Sequence, residues 1–237
     1  MNLVPDFHSF GRRPELCPQP GQDLPVQLDD GLLATPVQPG NHPRLLSLQF
    51  EGSETTDART YVFKGVDNTV AGFAGIGYRT ICIGGVGFFN LQNPLGSALP
   101  GLFIEQYWRR EFGVTSQRST SLQVELACQR LTANELAQQR VFLFINVSAM
   151  HQPNCHYLGT DTDSVQSHAA ALRYVDEALA PLWQTLRQRG DSFVIVCSDH
   201  GTAYGEDGYV GHRHGHPVVM RVPYAHFKIP RAGHASA

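Results

Sequence analysis

The chain has 237 residues, of which 42% are hydrophobic and 16% are charged, and its formal net charge is −3. These values are typical of a globular protein that is large enough for one α/β domain. The weak negative charge argues against a surface for polyanions, so we expect no nucleic-acid partner. No apolar run approaches the roughly 20 residues of a membrane span, so we expect no membrane span either.

The five cysteines are odd in number and widely spaced, which favours free thiols over a disulfide framework. Cys82 and Cys197 lie inside apolar segments, where a thiol acts as a small hydrophobe. The N-terminus lacks the basic and then apolar pattern of a signal peptide. Together these features predict a cytoplasmic protein in a reducing compartment.

The first predicted element is a segment without regular structure. Residues 1–43 hold eight of the fifteen prolines and show no helical or strand period. Proline fixes φ and removes a backbone donor, so this segment is predicted to be loop-like or poorly ordered. We expect an α/β domain over residues 44–228 and a flexible tail over residues 229–237.

Strand and helix patterns alternate through the body of the chain. Strands are predicted at Leu45–Phe50, Thr80–Ile83, Val141–Ile145, Phe193–Cys197 and Val218–Val222. Helices are predicted from Asp67 to about Gly77, from Ser119 to Leu131 and from Asp163 to Arg189. Long helices between buried strands indicate a mostly parallel sheet that is covered by helices on both faces.

Two side chains suited to metal binding follow the buried strand Phe193–Cys197. Asp199 and His200 are an adjacent carboxylate and imidazole, which are donors that divalent transition metals prefer. Both groups are costly to bury without a partner. We therefore interpret Asp199 and His200 as metal ligands, with a capped strand end and a hydrogen-bonded histidine as the alternative.

Histidines are concentrated near the C-terminus, where six of the eleven fall within the last 38 residues. They are His200, His212, His214, His216, His226 and His234. The glycine-rich segment before His212 is predicted to bring this histidine back over Asp199 and His200. A solvated loop is the alternative for His212, His214 and His216, and His226 and His234 are expected at the surface or in the tail.

A further histidine follows the strand Val141–Ile145. The carboxyl ends of neighbouring parallel strands meet at one edge of a sheet. If this strand neighbours Phe193–Cys197, His151 faces Asp199 and His200 across one crevice. An ordinary turn residue is the alternative for His151. Gly84-Gly85-Val86-Gly87 is interpreted as a tight turn, since no Lys-Ser/Thr follows it as in a phosphate-binding loop.

Four segments resemble the alkaline phosphatase and sulfatase superfamily. They are Gly77–Gly84, Phe142–Pro153, Tyr174–Asp176 and the run from Ser198-Asp199-His200-Gly201 through Gly211-His212 to Val222-Pro223. The likeness extends over about residues 45–227. It is greatest to short bacterial sulfatase-like hydrolases, and lipoteichoic-acid-synthase-type enzymes are more distant. The resemblance implies an alkaline-phosphatase-like α/β sandwich and a metal-dependent hydrolase of small phosphate or sulfate esters.

The same resemblance implies roles for individual residues. Asp199 and His200 match the paired metal ligands of the family. His151 and His212 match histidines that contact the substrate or the reacting group, and His216 is a further candidate for substrate binding. Two-metal members carry a carboxylate four residues before a histidine; here Val147 stands four residues before His151. The resemblance therefore implies one divalent ion, which is Zn, Mn, Mg or Ca.

The chain departs from the family pattern in its first part. Residues 1–43 contain no strand that ends in an aspartate ligand and no recognisable nucleophile: Cys17 lacks the Cys-x-Pro-x-Arg pattern, and Asp29 and Asp30 follow no apolar strand. The alternative function is therefore a non-catalytic or truncated relative that serves as a binding or assembly subunit. A sheet that lacks one strand leaves unpaired edges, so exposed apolar surface and self-association are expected.

Overall fold

A computed structural model of the protein describes residues 68–233 in full and, before them, the strand backbone of Leu45–Ser47 (β1) and Tyr61–Phe63 (β2). These two strands pair with each other in antiparallel orientation. The predictions that fall outside the described residues concern residues 1–43, Cys17, Asp29, Asp30, His234 and the end of the strand predicted to reach Phe50.

The central sheet has three parallel strands in the described part of the chain. They are Arg79–Ile83 (β3), Glu105–Tyr107 (β4) and Val141–Ile145 (β5), in the order β4-β3-β5. Both neighbours of β3 run parallel to it. The structure thus confirms the predicted strands at β3 and β5 and adds β4, which has no apolar run.

The main helices are Thr69–Gly75 (α1), Pro94–Ala98 (α2), Ser119–Thr132 (α3) and Val165–Arg189 (α4). The side chain of Asn68 accepts a hydrogen bond from the backbone N–H of Ala71 and so begins α1. Ser164 and Ser167 form a capping box at the start of α4. No helix in the described residues is both long and apolar enough to cross a membrane.

Alternate residues of the sheet pack against the two helical layers. On one face, Ile81 and Ile83 pack with Val124 of α3 and Leu182 of α4. On the other face, Cys82 packs in a second core cluster that includes Val70 of α1. Burial raises the pKa of the Cys82 thiol to about 12, so this residue serves as a small hydrophobe. The fold is therefore an α/β sandwich with helices on both faces, as predicted.

A second sheet carries the segment with Asp199 and His200. Ser192–Cys197 (β6) pairs in antiparallel orientation with Tyr224–Ile229 (β9). The predicted strand at Val218–Val222 is wrong, because Pro217–Met220 forms a short helix (α5). Proline is pre-organised for the first position of a helix, and His216 caps this helix by accepting a hydrogen bond from Val218 N.

The strands β5 and β6 are not hydrogen-bonded to each other in the described residues. Helix α4 joins the two sheets by packing, since Trp183 contacts the core cluster of β5 and also the ring of Phe227 on β9. The predicted burial of the strand Phe193–Cys197 is wrong, because the outer face of β6 is open, with Phe193 62% exposed and Ile195 52% exposed. The expected exposed apolar surface is therefore present, and self-association remains a prediction.

Candidate active site

The first part of the site is the turn after β5. Asn146 fixes its start, because its side-chain oxygen accepts a hydrogen bond from Val86 N and its carbonyl accepts one from the side chain of Gln123. His151 N donates to Ser148 O, and Ser148 is fully buried. The imidazole of His151 itself is exposed. A rigid turn thus presents a solvent-accessible histidine.

The second part is Asp199 and His200, directly after β6. Asp199 Oδ1 accepts a hydrogen bond from His200 N, which leaves Oδ2 available. His200 Nδ1 lies 2.8 Å from Gly201 O and donates a hydrogen bond to it, while Nε2 is on the side of Asp199. Asp199 Oδ2 and His200 Nε2 are 3.9 Å apart. The two predicted ligands therefore turn free donor atoms towards each other.

Tight backbone packing fixes this segment. Ser198 N donates to Pro223 O, and Gly201 N donates to Val219 O. A Cβ atom at Gly201 would lie 2.0 Å from Val218 O, so only glycine fits there. The packing against α5 and the following chain holds Asp199 and His200 in place at the end of β6.

A hairpin brings His212 over His200, as predicted. Ala203–Tyr204 (β7) pairs with Val210–Gly211 (β8), so His212 follows the returning strand. The imidazoles of His200 and His212 stack with centroids 4.2 Å apart. Burial lowers the pKa of His212, and the nearby His200 and His151 lower it further. His151, His200 and His212 therefore belong to one electrostatic cluster.

His216 makes different contacts from the other predicted site residues. Its Nδ1 accepts a hydrogen bond from Val218 N, so its Nε2 carries the proton and donates to Asp207, with the two atoms 3.0 Å apart. Its ring also lies 5.1 Å from that of Tyr209. Both nitrogens of His216 thus form hydrogen bonds within the loop, and these contacts hold the loop together.

A buried polar network that the sequence did not reveal supports the hairpin. Asn154 is fully buried; its side-chain nitrogen donates to the Tyr204 hydroxyl, and its side-chain oxygen accepts from Ser167. Tyr204 Oη also lies 3.0 Å from His168 Nδ1. Asp163 accepts from the backbone N–H groups of Asn154 and Cys155. The start of α4 is thereby connected to β7.

The donor chemistry at Asp199 and His200 fits a divalent cation. Oδ2 of Asp199 and Nε2 of His200 are free of hydrogen bonds to any residue that the structure describes. The carbonyl of Gly201 fixes the orientation of the imidazole through Nδ1. No group of three or more His, Cys, Asp or Glu side chains in the described part of the chain is arranged to hold a metal ion. Asp199 and His200 thus offer two donor atoms, which is fewer than the usual three or four of a zinc site.

A comparison with protein-family models identifies the family of the chain. The model for the sulfatase family matches residues 47–224, which include β3, β5, the turn with His151 and the segment with Asp199, His200 and His212. The chain belongs to the sulfatase family. No curated protein matches the sequence significantly.

Solved structures share the fold at low sequence identity. The C-terminal periplasmic domain of phosphoethanolamine transferase EptC from Campylobacter jejuni is 15% identical, with a TM-score of 0.53 and coverage of 74% of this chain and 59% of that one. The corresponding domain of EcEptC from Escherichia coli, in complex with Zn, is 14% identical with a TM-score of 0.52, and the match covers 74% of this chain and 54% of that one. The chain thus has the alkaline-phosphatase-like fold of these domains and spans little more than half of their length.

Proposed function

We propose that the protein is a metal-dependent enzyme that transfers the phosphoryl or sulfuryl group of a small ester to water or to another acceptor. One divalent cation is held by Asp199 and His200, and the observation that carries the proposal is the 3.9 Å separation of their free donor atoms. A bound cation supplies a Lewis acid for the oxygens of a tetrahedral ester. Because one structurally similar domain is a phosphoethanolamine transferase, transfer to an acceptor other than water is included.

The roles of the histidines follow from their exposure and charge. His212 has a lowered pKa, so it is neutral near pH 7 and one ring nitrogen is able to accept a proton. His151 is exposed at the turn after β5 and is proposed to contact the ester group. A cytoplasmic location is also part of the proposal, because five widely spaced cysteines, an odd number, favour free thiols and a reducing compartment.

The proposal is tested by turnover of p-nitrophenyl phosphate, bis(p-nitrophenyl) phosphate and p-nitrophenyl sulfate. The protein is stripped with EDTA and each substrate is assayed after addition of Zn²⁺, Mn²⁺, Mg²⁺ or Ca²⁺. Asp199→Asn and His200→Gln are each expected to reduce metal-dependent turnover by at least about 100-fold. Asp176→Asn on the exposed face of α4 is the matched control. Equal turnover in Asp199→Asn and in the unaltered protein would contradict the proposal.

A second candidate function is a binding or assembly subunit. It is favoured by the finding that the described residues contain no group of three or more side chains placed to hold a metal ion. For this candidate, the folded protein shows no metal-dependent turnover of any of the three substrates, and Asp199→Asn leaves the background rate unchanged. The assay above therefore separates the two candidates.

A further inference from the structure

A cavity of about 460 Å³ that is open to solvent lies at the carboxyl ends of β3 and β4. Its volume falls within the range of about 300–1,000 Å³ that small-molecule sites occupy. The residues that line it and carry the argument are Gly85, Asn90, Trp108, Arg110 and Thr115. None of these belongs to the cluster of Asp199, His200 and His212.

The glycine turn after β3 forms a fixed wall of this cavity. A Cβ atom at Gly85 would lie 2.3 Å from Asn146 O and 2.9 Å from Ser148 Cβ, so the turn packs closely against the end of β5. Gly84 O accepts a hydrogen bond from the buried side chain of Gln123. The indole of Trp108 donates to Gly85 O at 3.2 Å. The wall is thus pre-organised, which reduces the ordering cost of binding.

The glycine wall of the cavity packs against the turn that carries His151. Gly85 packs against Ser148, and the carbonyl of Ser148 accepts the hydrogen bond from His151 N. Because β3, β4 and β5 are parallel, their carboxyl ends open at the same edge of the sheet. The cavity and the turn with His151 therefore lie at the same edge of the sheet.

The charge of the cavity is set by Arg110. This is the charged side chain among the lining residues, it is exposed, and it forms no ion pair with any residue that the structure describes. A guanidinium matches a carboxylate, phosphate or phosphonate with two parallel hydrogen bonds. The half-buried indole of Trp108, which also packs against the core, lines the same wall, and Asn90 and Thr115 add neutral hydrogen-bonding groups.

We propose that this cavity is a binding site for the organic part of the substrate. This part carries an anionic group that binds Arg110 and a flat unsaturated ring system that contacts Trp108. The assignment of this ligand as substrate rests on the function proposed above. The existence of the binding site rests on the cavity alone, so the two are tested separately.

Fluorescence of Trp108 provides a direct test. The protein has two tryptophans, and Trp183→Phe leaves Trp108 as the single emitter. The probe is phenylphosphonate, which carries a ring and a dianion and has no ester bond to hydrolyse. Titration in EDTA is expected to give saturable quenching, with methylphosphonate and benzyl alcohol at least about tenfold weaker because each lacks one of the two groups.

Variants locate the binding. Arg110→Gln in the Trp183→Phe background is expected to weaken phenylphosphonate at least about tenfold, and Arg118→Gln, an exposed arginine that does not line the cavity, is expected to leave it unchanged. Unchanged affinity in Arg110→Gln, or absence of quenching in a variant whose circular dichroism and melting match the unaltered protein, overturns the proposal.

One further comparison separates this site from the proposed enzyme function. Asp199→Ala is expected to bind phenylphosphonate as tightly as the unaltered protein. Loss of binding in Asp199→Ala would place the probe at the metal ligands and overturn the cavity site. Arg110-dependent binding without any ester turnover would support the cavity and contradict the enzyme function.

Discussion

The imidazole of His212 lies nearly parallel to that of His200, with 14° between the ring planes. The two residues are brought together by the hairpin of β7 and β8, in which Ala203 is the partner of Gly211. Gly205, Gly208 and Gly211 all have positive φ, which side chains with a Cβ rarely adopt. The return of the chain over the proposed metal ligands therefore depends on the glycines of this loop.

His212 is predicted to be needed for turnover and not for metal binding. His212→Ala removes a neutral imidazole that is stacked on His200, so the turnover of an accepted nitrophenyl ester should fall by about 100-fold or more while bound metal is retained. His226→Ala on the exposed face of β9 is the control, and it should leave turnover unchanged. Loss of metal in His212→Ala would instead make His212 a ligand.

Gly201 is predicted to tolerate no side chain. Gly201→Ala places a methyl group 2.0 Å from Val218 O, so the free energy of unfolding should fall by about 1–3 kcal/mol. Gly215→Ala is the control, because no atom lies within 4 Å of a Cβ at that position. Urea denaturation measures the free energy of unfolding of both variants. Equal stabilities of the two variants would show that the chain around Gly201 adapts more freely than its packing indicates.

The hydroxyl of Tyr204 is predicted to hold the hairpin against α4. Tyr204→Phe leaves the amide of the fully buried Asn154 without its acceptor, at a cost of about 1–3 kcal/mol. Amide hydrogen exchange of Ala203 and Gly211 should then accelerate as the hairpin loosens. The exposed Tyr209 gives a matched control in Tyr209→Phe. Unchanged exchange in Tyr204→Phe would assign the hairpin's rigidity to other contacts.

Acid stability is predicted to depend on Glu105. Burial raises the pKa of this carboxyl, but hydrogen bonds from Arg130, Tyr107 and Arg79 outweigh burial and lower the pKa from 4.5 to about 2. The folded-state pKa is thus depressed, so the contribution to stability is complete above pH 4.5 and is lost as pH falls towards 2. Glu105→Gln should destabilise the protein at pH 7 by about 3 kcal/mol and flatten this acid dependence.

The exposed Glu135 is the control for this measurement. It also contacts Arg130, but its side chain is 63% exposed, and surface ion pairs contribute little. The melting temperatures of Glu105→Gln and Glu135→Gln, measured between pH 2 and pH 7, should therefore differ most at neutral pH. Parallel curves for both variants would contradict the assigned role of Glu105.

The sequence predicted the elements that are marked by a run of consecutive apolar residues. Strand β5 is a continuous apolar run, and apolar runs form the last three residues of β3 and the last five of β6. Asp199 and His200 follow β6 closely. Strand β4 has the sequence Glu-Gln-Tyr, and its buried Glu105 is satisfied by Arg79 and Arg130, each about 25 residues away. No local sequence pattern predicts ion pairs between residues so far apart in the chain.

The same limit applies to the site. The contact of Asn154 with Tyr204 spans 50 residues, and the cavity at Trp108 depends on how the glycine turn packs against Ser148. One missed element did have a local signal. Pro217 stands at the first position of α5, where proline favours a helix start over the predicted strand.

The central claim is that Asp199 and His200 together bind one divalent cation. Isothermal titration of the EDTA-treated protein with Zn²⁺ and Mn²⁺ measures this directly, without any substrate. We predict a site that saturates at up to one ion per chain in the unaltered protein and a loss of at least about tenfold in affinity in both Asp199→Ala and His200→Ala. Binding of the same strength in the two variants would contradict the claim.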